Sequence, residues 1–544
     1  MTDTFEGAAP ARFSPVLPPP GGVAAAGAPT RYGPDTPEGR RSRLWRTLWR
    51  THFYAGMFAL PFLVLFAVTG LLILYERPID DWRQRDLRTV PAASRWVSLD
   101  EQRAAVAERF PRLEIGSVTP APTAGRATVF SGTLPSGASR DVYVNPHTGE
   151  VLGAATPGSG ITGLANRLHG FLNNDTVTVK LPSLPQALWG EGSAMVEVPV
   201  TEIALEIAAV WGLTLAATGL YLWWPRKAGT GKAWIVPRLG KRGRARWRDL
   251  HATGGVVLSG LLVFFVLSGM PWSAYWGSGW STTADRFTPN EQPPHWMWEG
   301  PASKVPRVGD LDRQGRRIPW ASRTDPVPAS GRSARAVHGG GHGGETEPSA
   351  GGTAQPASLD LVAQAAVAEG MRPGFTINLP TNDTSADPPR YGAYVAMNPW
   401  PSRLHHQGAV YLDQFSARTL ATSDTRTWGA LQRTTELGVQ THMGTQFGLA
   451  SRLAMTLGAL LILWSAATAL VMWWKRRPAG GLGMPRRPDD VRTPRLLWVA
   501  GALLGVVYPL WGVSALVVLA LDRWVIRRLG PTRRLFGMRR PALA

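Results

Sequence analysis

Four stretches of this chain stay apolar for about twenty residues each, the length a helix needs to cross a hydrocarbon layer roughly 30 Å thick. They cover residues 54–75, 203–224, 254–276 and 453–474. Backbone inside lipid must satisfy its own hydrogen bonds, so runs of this kind are helical. The expected fold class is a membrane all-α bundle with four core spanning helices. A further apolar stretch, 496–521, is interrupted by Tyr508-Pro509 and forms either a fifth crossing or a C-terminal hairpin.

Charge placement sets the sidedness. The chain carries 58 Lys and Arg against 38 Asp and Glu, a formal net charge of +20. The excess sits beside the apolar runs: Arg40, Arg41, Arg43, Arg46 and Arg50 precede the first, and nine Lys or Arg with no acid lie between Arg226 and Arg248. Lys and Arg in short loops stay on the cytoplasmic side. The N-terminus is therefore expected inside, in a bacterial inner membrane, with segments 77–200 and 277–450 in the periplasm. The charge rule also favours the hairpin, because a single last crossing would carry Arg523, Arg527, Arg528, Arg533 and Arg534 outward. No basic patch interleaved with aromatics lies on a soluble segment, so nucleic acid is not an expected partner; membrane lipid is.

The expected divisions follow. Residues 1–45 read as a disordered cytoplasmic tail, and the helix at 46–76 doubles as an uncleaved signal-anchor. Helices at 201–225, 251–276 and 451–474 are joined by basic loops at 226–250 and 475–495. The apolar stretch 496–521 and a basic tail, 522–544, complete the chain. In the first outer segment Asp141-Val142-Tyr143-Val144, a turn at 145–149 and Glu150-Val151-Leu152 make a hairpin pattern. Residues 409–412 and 419–420 do the same in the second, and helix-compatible stretches (100–109 and 359–370) precede both. Two small α+β domains are expected, with a Gly, Ser and Pro rich insert at 323–358 expected to be disordered. Helix, outer domain and returning helix thus occur twice in one orientation, a parallel repeat.

The chain has no cysteine, which excludes disulfides, thiolate metal sites, iron–sulfur clusters and covalently attached c-type haem. Of ten histidines, four occupy repeat-equivalent places. His52 and His251 open the two outgoing helices, each followed by small residues. His169 and His442 come late in the outer segments, ahead of the returning helices. His52 with His251, and His169 with His442, can therefore pair at the inner and outer faces. Two neutral imidazoles facing each other hold a planar haem in a helical bundle, with nearby glycines leaving it room. The expected cofactor is two bis-His haems of b type. Among the others, His147 reads as an exposed turn residue, and His338 and His342, in a Gly-rich loop, could bind a metal adventitiously. His405 and His406 could face a substrate. Glu202 and Glu206 read as interfacial, with ligand orientation or proton movement as the alternative.

Several stretches resemble the PepSY-associated transmembrane family, also called iron-regulated membrane proteins: 218–226 (Thr-Gly-Leu-Tyr-Leu-Trp-Trp-Pro-Arg), 248–252 (Arg-Asp-Leu-His-Ala), 141–152, and Glu436 through His442 to Leu449. The resemblance covers roughly residues 45 to 490. It implies outer PepSY domains, b-type haem and reduction of ferric siderophores. Two features depart from the pattern, the long segment between His169 and the second helix and the apolar region after residue 495.

No nucleotide-binding fingerprint is visible, so electrons are expected from quinol or a membrane donor, passing to a periplasmic small-molecule acceptor such as a ferric chelate. Two other readings remain open at this stage, a regulatory or peptidase-binding membrane protein without cofactor and a His-lined metal or proton transporter.

Overall fold

The computed structural model describes residues 37–174, 176–224, 236–240, 242–291, 320, 355–382, 391–398, 403–477, 483, 494–526 and 528. In chain order the helices are α1 (Pro37–Leu74), α2 (Glu76–Arg83), α3 (Arg85–Arg88), α4 (Leu99–Arg109), α5 (Gly160–Phe171), α6 (Leu184–Trp189), α7 (Val200–Trp223) and α8 (Arg244–Gly269). They continue with α9 (Trp276–Phe287), α10 (Leu359–Ala368), α11 (Ala430–His442), α12 (Leu449–Trp474), α13 (Arg495–Val507) and α14 (Pro509–Leu521).

Five helical segments are long and apolar enough to cross a membrane: Arg43–Leu74, Val200–Trp223, Arg244–Trp272, Leu449–Trp474 and Pro509–Ile526. The first four form a closed bundle in which α1 packs on α7 and α12, and α8 packs on the same two. The repeat-equivalent helices α1 and α8 thus sit diagonally across the bundle core. That core is small-to-medium and apolar (Ala67, Val210, Ala216, Leu262, Val266, Ala459, Ile462), while Met57, Phe58, Val263, Leu267, Leu457 and Leu460 point outward. An apolar belt facing away from the core suits lipid rather than water. At the basic end, Arg476 lies 4.2 Å over the Trp49 ring and Arg477 lies 3.7 Å over Trp474. Cations and amphipathic rings satisfy one another there.

The final apolar stretch breaks at Tyr508-Pro509 and folds back. A Cβ placed on Gly505 would lie 3.3 Å from the Gly512 Cα, so α13 and α14 cross almost backbone to backbone. Trp211 Nε1 of α7 donates to Ser514 Oγ at 3.1 Å, fixing α14 against the bundle. The tip, at Tyr508, lies against Trp276 beyond the far end of α8, ring centroids 5.5 Å apart and planes tilted by 31°. The hairpin alternative is the one observed.

Beyond the end of the bundle opposite the basic loops lie strands β1 (Glu114–Thr119), β2 (Thr128–Thr133), β3 (Ser139–Val144), β4 (Val151–Ala155), β5 (Thr178–Pro182), β6 (Met195–Pro199), β7 (Thr376–Asn378), β8 (Tyr394–Met397), β9 (Gly408–Leu412) and β10 (Thr419–Asp424). The two expected α+β units are not separate. Their strands form one antiparallel eight-stranded sheet in the order β10-β9-β8-β7-β1-β2-β3-β4. The seam is β1 with β7, where Val118 pairs with Ile377. The sequence hides this because edge pairing depends on which lobes meet, and a three-residue strand such as β7 carries almost no period of its own. One core runs beneath both halves, joining Val106, Phe130 and Val142 to Val362, Ile377 and Tyr394.

The two lobes also cap each other's helices. The Leu99 N–H of α4 donates to both Asp360 carboxylate oxygens at 3.1 and 3.0 Å, and the Leu359 N–H of α10 donates to Asp100 at 2.9 Å. Ser98 and Ser358 add local caps. The repeated Ser-Leu-Asp thus places a carboxylate of each lobe at the positive helix end of the other.

Further expectations need correction, the first being the tail at 1–45, whose residues 37–45 already belong to α1. His147 is not an exposed turn residue: it is buried, with Nδ1 2.6 Å from the Arg95 carbonyl and Nε2 2.8 Å from that of Ala124, tying the 93–97 segment to the β3–β4 turn. The expected disordered insert overlaps ordered residues at its end. Ala357 N–H donates to the Gln414 carbonyl, and Ser358 caps α10; residues 323–354 lie outside the described residues, with His338 and His342 among them.

The long segment between His169 and α7 is a hairpin arm. Strands β5 and β6 pair with each other alone, and α6 between them packs on α9 through the Trp189 Nε1 to Thr283 Oγ1 bond. The arm lets α5 lie against the end of α1 before the chain enters α7.

Candidate functional site

The four singled-out histidines assemble in two pairs at opposite ends of the bundle. His52 of α1 and His251 of α8 meet across the core at the basic end, ring centroids 6.4 Å apart and planes at 79°. His169 of α5 and His442 of α11 line one cavity of about 410 Å³ at the sheet end, together with Phe66, Gly70, Phe265 and Gly269. The same interval separates His52 from Thr69 on α1 and His251 from Ser268 on α8. The two levels are therefore set by equivalent helix positions, about 25 Å apart along each helix at 1.5 Å per residue.

Each imidazole is held in the same way. Nδ1 of His52 lies 3.0 Å from Thr218 Oγ1, that of His169 lies 2.9 Å from Thr69 Oγ1, that of His442 lies 2.9 Å from Ser268 Oγ, and that of His251 lies 3.1 Å from Thr468 Oγ1. Every one of these hydroxyls donates its own hydrogen to a carbonyl one turn back: Thr69 to Leu65, Thr218 to Thr214 and Ser268 to Phe264 at 2.6 Å, and Thr468 to Trp464 at 2.9 Å. A hydroxyl has one hydrogen. With it committed, the oxygen can only accept, so Nδ1 must carry a proton. For His251 the Ser465 carbonyl, 3.2 Å away, imposes the same tautomer independently. Each ring then keeps its Nε2 lone pair for a ligand bond, the arrangement by which outer groups orient metal-bound imidazoles.

The glycines that matter differ from those expected. Gly56 and Gly254 follow His52 and His251 in sequence, but a Cβ on them would meet Leu215 and Trp464. The glycines beside the imidazoles follow the clasping hydroxyls. A Cβ on Gly219 would come 3.2 Å from His52 Cε1, and one on Gly70 or Gly269 would come 3.5 Å from Cε1 of His169 or His442. Phe66 and Phe265 set their rings edge-on to His169 and His442, at 5.3 and 5.2 Å. The sequence carried this signal as two small repeats, Phe66-Ala67-Val68-Thr69-Gly70 against Phe265-Val266-Leu267-Ser268-Gly269, and Ala216-Ala217-Thr218-Gly219 against Ala466-Ala467-Thr468-Ala469. Only the stretch around Thr218 stood out without the structure, and only as part of a longer motif.

Glu202 and Glu206 are not merely interfacial. They accept the N–H groups of Ala274 at 2.9 Å and Trp276 at 3.1 Å, bracketing the turn after α8, and both line the His169–His442 cavity. His405 and His406 lie instead in a short 3-10 turn before β9, their rings 4.1 Å apart. Burial, helped by Arg372, His405 and Arg403, holds the His406 imidazole below its usual range. Among the described residues no cluster of three or more His, Asp or Glu could hold a bare metal ion.

Fold and site together define a multi-pass membrane protein with an internal repeat and two histidine pairs clasped at two levels of a four-helix bundle. The chain belongs to the family of the PepSY-associated TM region, whose model matches residues 49–476. No curated protein matches the chain.

Proposed function

We propose that this chain is a haem b electron-transfer protein carrying electrons across a membrane from its basic end to its sheet end. His52 and His251 would hold one haem, and His169 and His442 a second. The observation that carries the reading is the fourfold clasp, in which Nδ1 is protonated by construction and Nε2 is left as the ligand atom.

The dimensions fit. An imidazole nitrogen sits about 2.0–2.1 Å from a first-row metal ion. With roughly 1.1 Å more to each ring centre, opposed imidazoles would have centroids about 6.3 Å apart, against 6.4 Å for His52 and His251. The cavity between His169 and His442 is about 410 Å³ and mostly apolar, within the roughly 300–1,000 Å³ of cofactor sites. A group that brings ligands of its own would need only two from the chain, one imidazole from each member of a pair. When bound, a bis-His haem supplies a one-electron couple with no open position for oxygen.

The chain's own work is to fix imidazole orientation and tautomer and to exclude water with the Phe66, Phe265 and Ile462 walls. The basic loops are read as cytoplasmic, which sets the N-terminus inside a bacterial inner membrane and turns the sheet toward the periplasm. Electrons would enter from quinol or another membrane donor and leave to a small-molecule acceptor at the sheet end, a ferric siderophore or similar chelate. The sheet lobes are read as PepSY domains and offer the larger folded surface for shaping an acceptor site.

A visible spectrum of the purified protein tests the proposal. A Soret band with resolved α and β bands after dithionite is expected. A colourless protein would sink the reading and favour a cofactor-free regulatory protein or a His-lined transporter.

A further inference from the structure

Glu206 is a buried acidic side chain of the bundle whose surroundings the haem reading does not explain. It is 4% exposed, lies two turns into α7, and lines the cavity shared by His169 and His442. One carboxylate oxygen accepts from the Trp276 N–H at 3.1 Å. The other, Oε1, is buried and has no hydrogen-bond partner among the described residues. A buried carboxylate with an unpartnered oxygen is held at a cost, and any further negative charge placed nearby raises that cost.

The groups facing Glu206 do not supply a counter-charge. Glu202 stands one turn away on α7 with the same sign. From the segment after α8 come the Ser273 hydroxyl, which bonds the Met270 carbonyl and also interacts with the Glu206 carboxyl, and the Tyr275 phenol. The α13–α14 tip contributes the Tyr508 phenol. The α1 wall of the cavity is Leu63, Phe66, Ala67 and Gly70, and α5 and α11 present His169 and His442, neither of which is a hydrogen-bond partner of Glu206. No Lys or Arg is among the cavity-lining groups in the described residues.

We infer that Glu206 is the proton-binding site of this cavity, taking up one proton when an electron arrives at the His169–His442 site and releasing it when the electron leaves. The inference rests on the haem reading above. The balance is simple: the ferric site gains one electron and becomes ferrous, the Glu206 carboxylate gains one proton and becomes a carboxylic acid, and the cavity's net charge is unchanged. Adding a negative charge beside an unpaired carboxylate in a low-dielectric cavity is opposed by Coulomb repulsion, and protonation removes that opposition. The proton reaches Oε1, the oxygen with no other partner, while the other oxygen keeps its bond to Trp276. Glu202, nearer the start of α7 on the same face, is the natural exchange group toward the sheet-end solvent.

Spectroelectrochemical titration of the full-length protein, loaded with haem and held in lipid nanodiscs, tests this. In the wild type the midpoint of one transition should fall as pH rises, by up to about 59 mV for each tenfold change in proton activity, while the other transition stays nearly flat. The single mutant His442→Ala should abolish the sloping transition, assigning it to the sheet-end pair. Glu206→Gln keeps the shape and the Trp276 bond, so its haem content and absorption spectrum should match the wild type while the slope disappears. Reduction-induced infrared difference spectra should show a protonated-carboxyl band in the wild type and none in Glu206→Gln. Two flat transitions in the wild type, or an undiminished slope in Glu206→Gln, would overturn the inference and leave the haem reading standing. A colourless protein would remove both.

Discussion

Thr69→Val isolates the clasp from the rest of the fold. Valine keeps the shape of threonine and removes the oxygen that accepts from His169 Nδ1 at 2.9 Å. The hydroxyl's second bond, to the Leu65 carbonyl, is lost as well, but that carbonyl still belongs to the α1 ladder. The substitution therefore leaves one buried N–H without an acceptor, at a cost of about 1–3 kcal/mol. At about 1.4 kcal/mol per tenfold, the sheet-end pair should hold its haem roughly ten- to a hundredfold less tightly, the range typical of groups that orient metal ligands. The basic end provides the control. His251 has both Thr468 Oγ1 and the Ser465 carbonyl, so Thr468→Val leaves an acceptor at 3.2 Å and should cost much less. Thr69→Ser restores the oxygen and should restore retention. The assay is the rate of haem transfer from the purified protein to an excess of a haem-scavenging apoprotein, followed at the Soret band, with total haem determined as the pyridine complex. Equal loss rates in Thr69→Val and wild type, or a larger effect at Thr468 than at Thr69, would refute the clasp.

The other expectations are simpler. His52→Ala or His251→Ala should remove one haem and His169→Ala or His442→Ala the other, each about halving haem per protein; full content in all four would defeat the assignment. Gly70→Leu should remove the sheet-end haem alone, because its side chain grows toward His169 Cε1 from the 3.5 Å contact already made by a Cβ; retention of both haems would show that the cavity is not the site. Asp360→Ala should destabilise the joined lobes by about 1 kcal/mol, read as a lower midpoint in thermal unfolding, since it uncaps α4. Burial, and then the neighbouring Asp360 carboxylate, lift the Asp100 carboxyl above its usual range. The folded protein thus holds that proton to higher pH than the unfolded chain, and the associated stability is present in acid and lost as pH rises through the shifted value. Asp100→Asn should flatten that slope, and an unchanged pH profile would show that the interlobe carboxylates are not strained. A reporter inserted after residue 230 should be active only on the cytoplasmic side and one near residue 340 only outside; the reverse at either place would end the proposed orientation.

How much of this protein its sequence determined by itself can be traced to particular residues. The bilayer is a severe solvent, so four apolar runs read directly as four helices, and the observed α1, α7, α8 and α12 cover most of each, although α8 ends at Gly269, seven residues before the third run does. The repeat placed His52 against His251 and His169 against His442, because equivalent positions in parallel repeats share a depth. Strong local patterns survived too: residues 141–144 lie in β3 and 409–412 fill most of β9. What the tertiary structure alone decided are relations between distant segments whose local pattern is silent. The seam of β1 and β7 joins residues more than 250 positions apart, and the caps from Asp100 and Asp360 exist only because that seam brings α4 and α10 together. Thr69, Thr218, Ser268 and Thr468 each look like an ordinary helix hydroxyl bonded to its own backbone until an imidazole from another helix arrives. The unsatisfied Oε1 of Glu206 is likewise a property of everything packed around it, since whether a polar atom has a partner is settled by its neighbours in space and not by its neighbours in the chain.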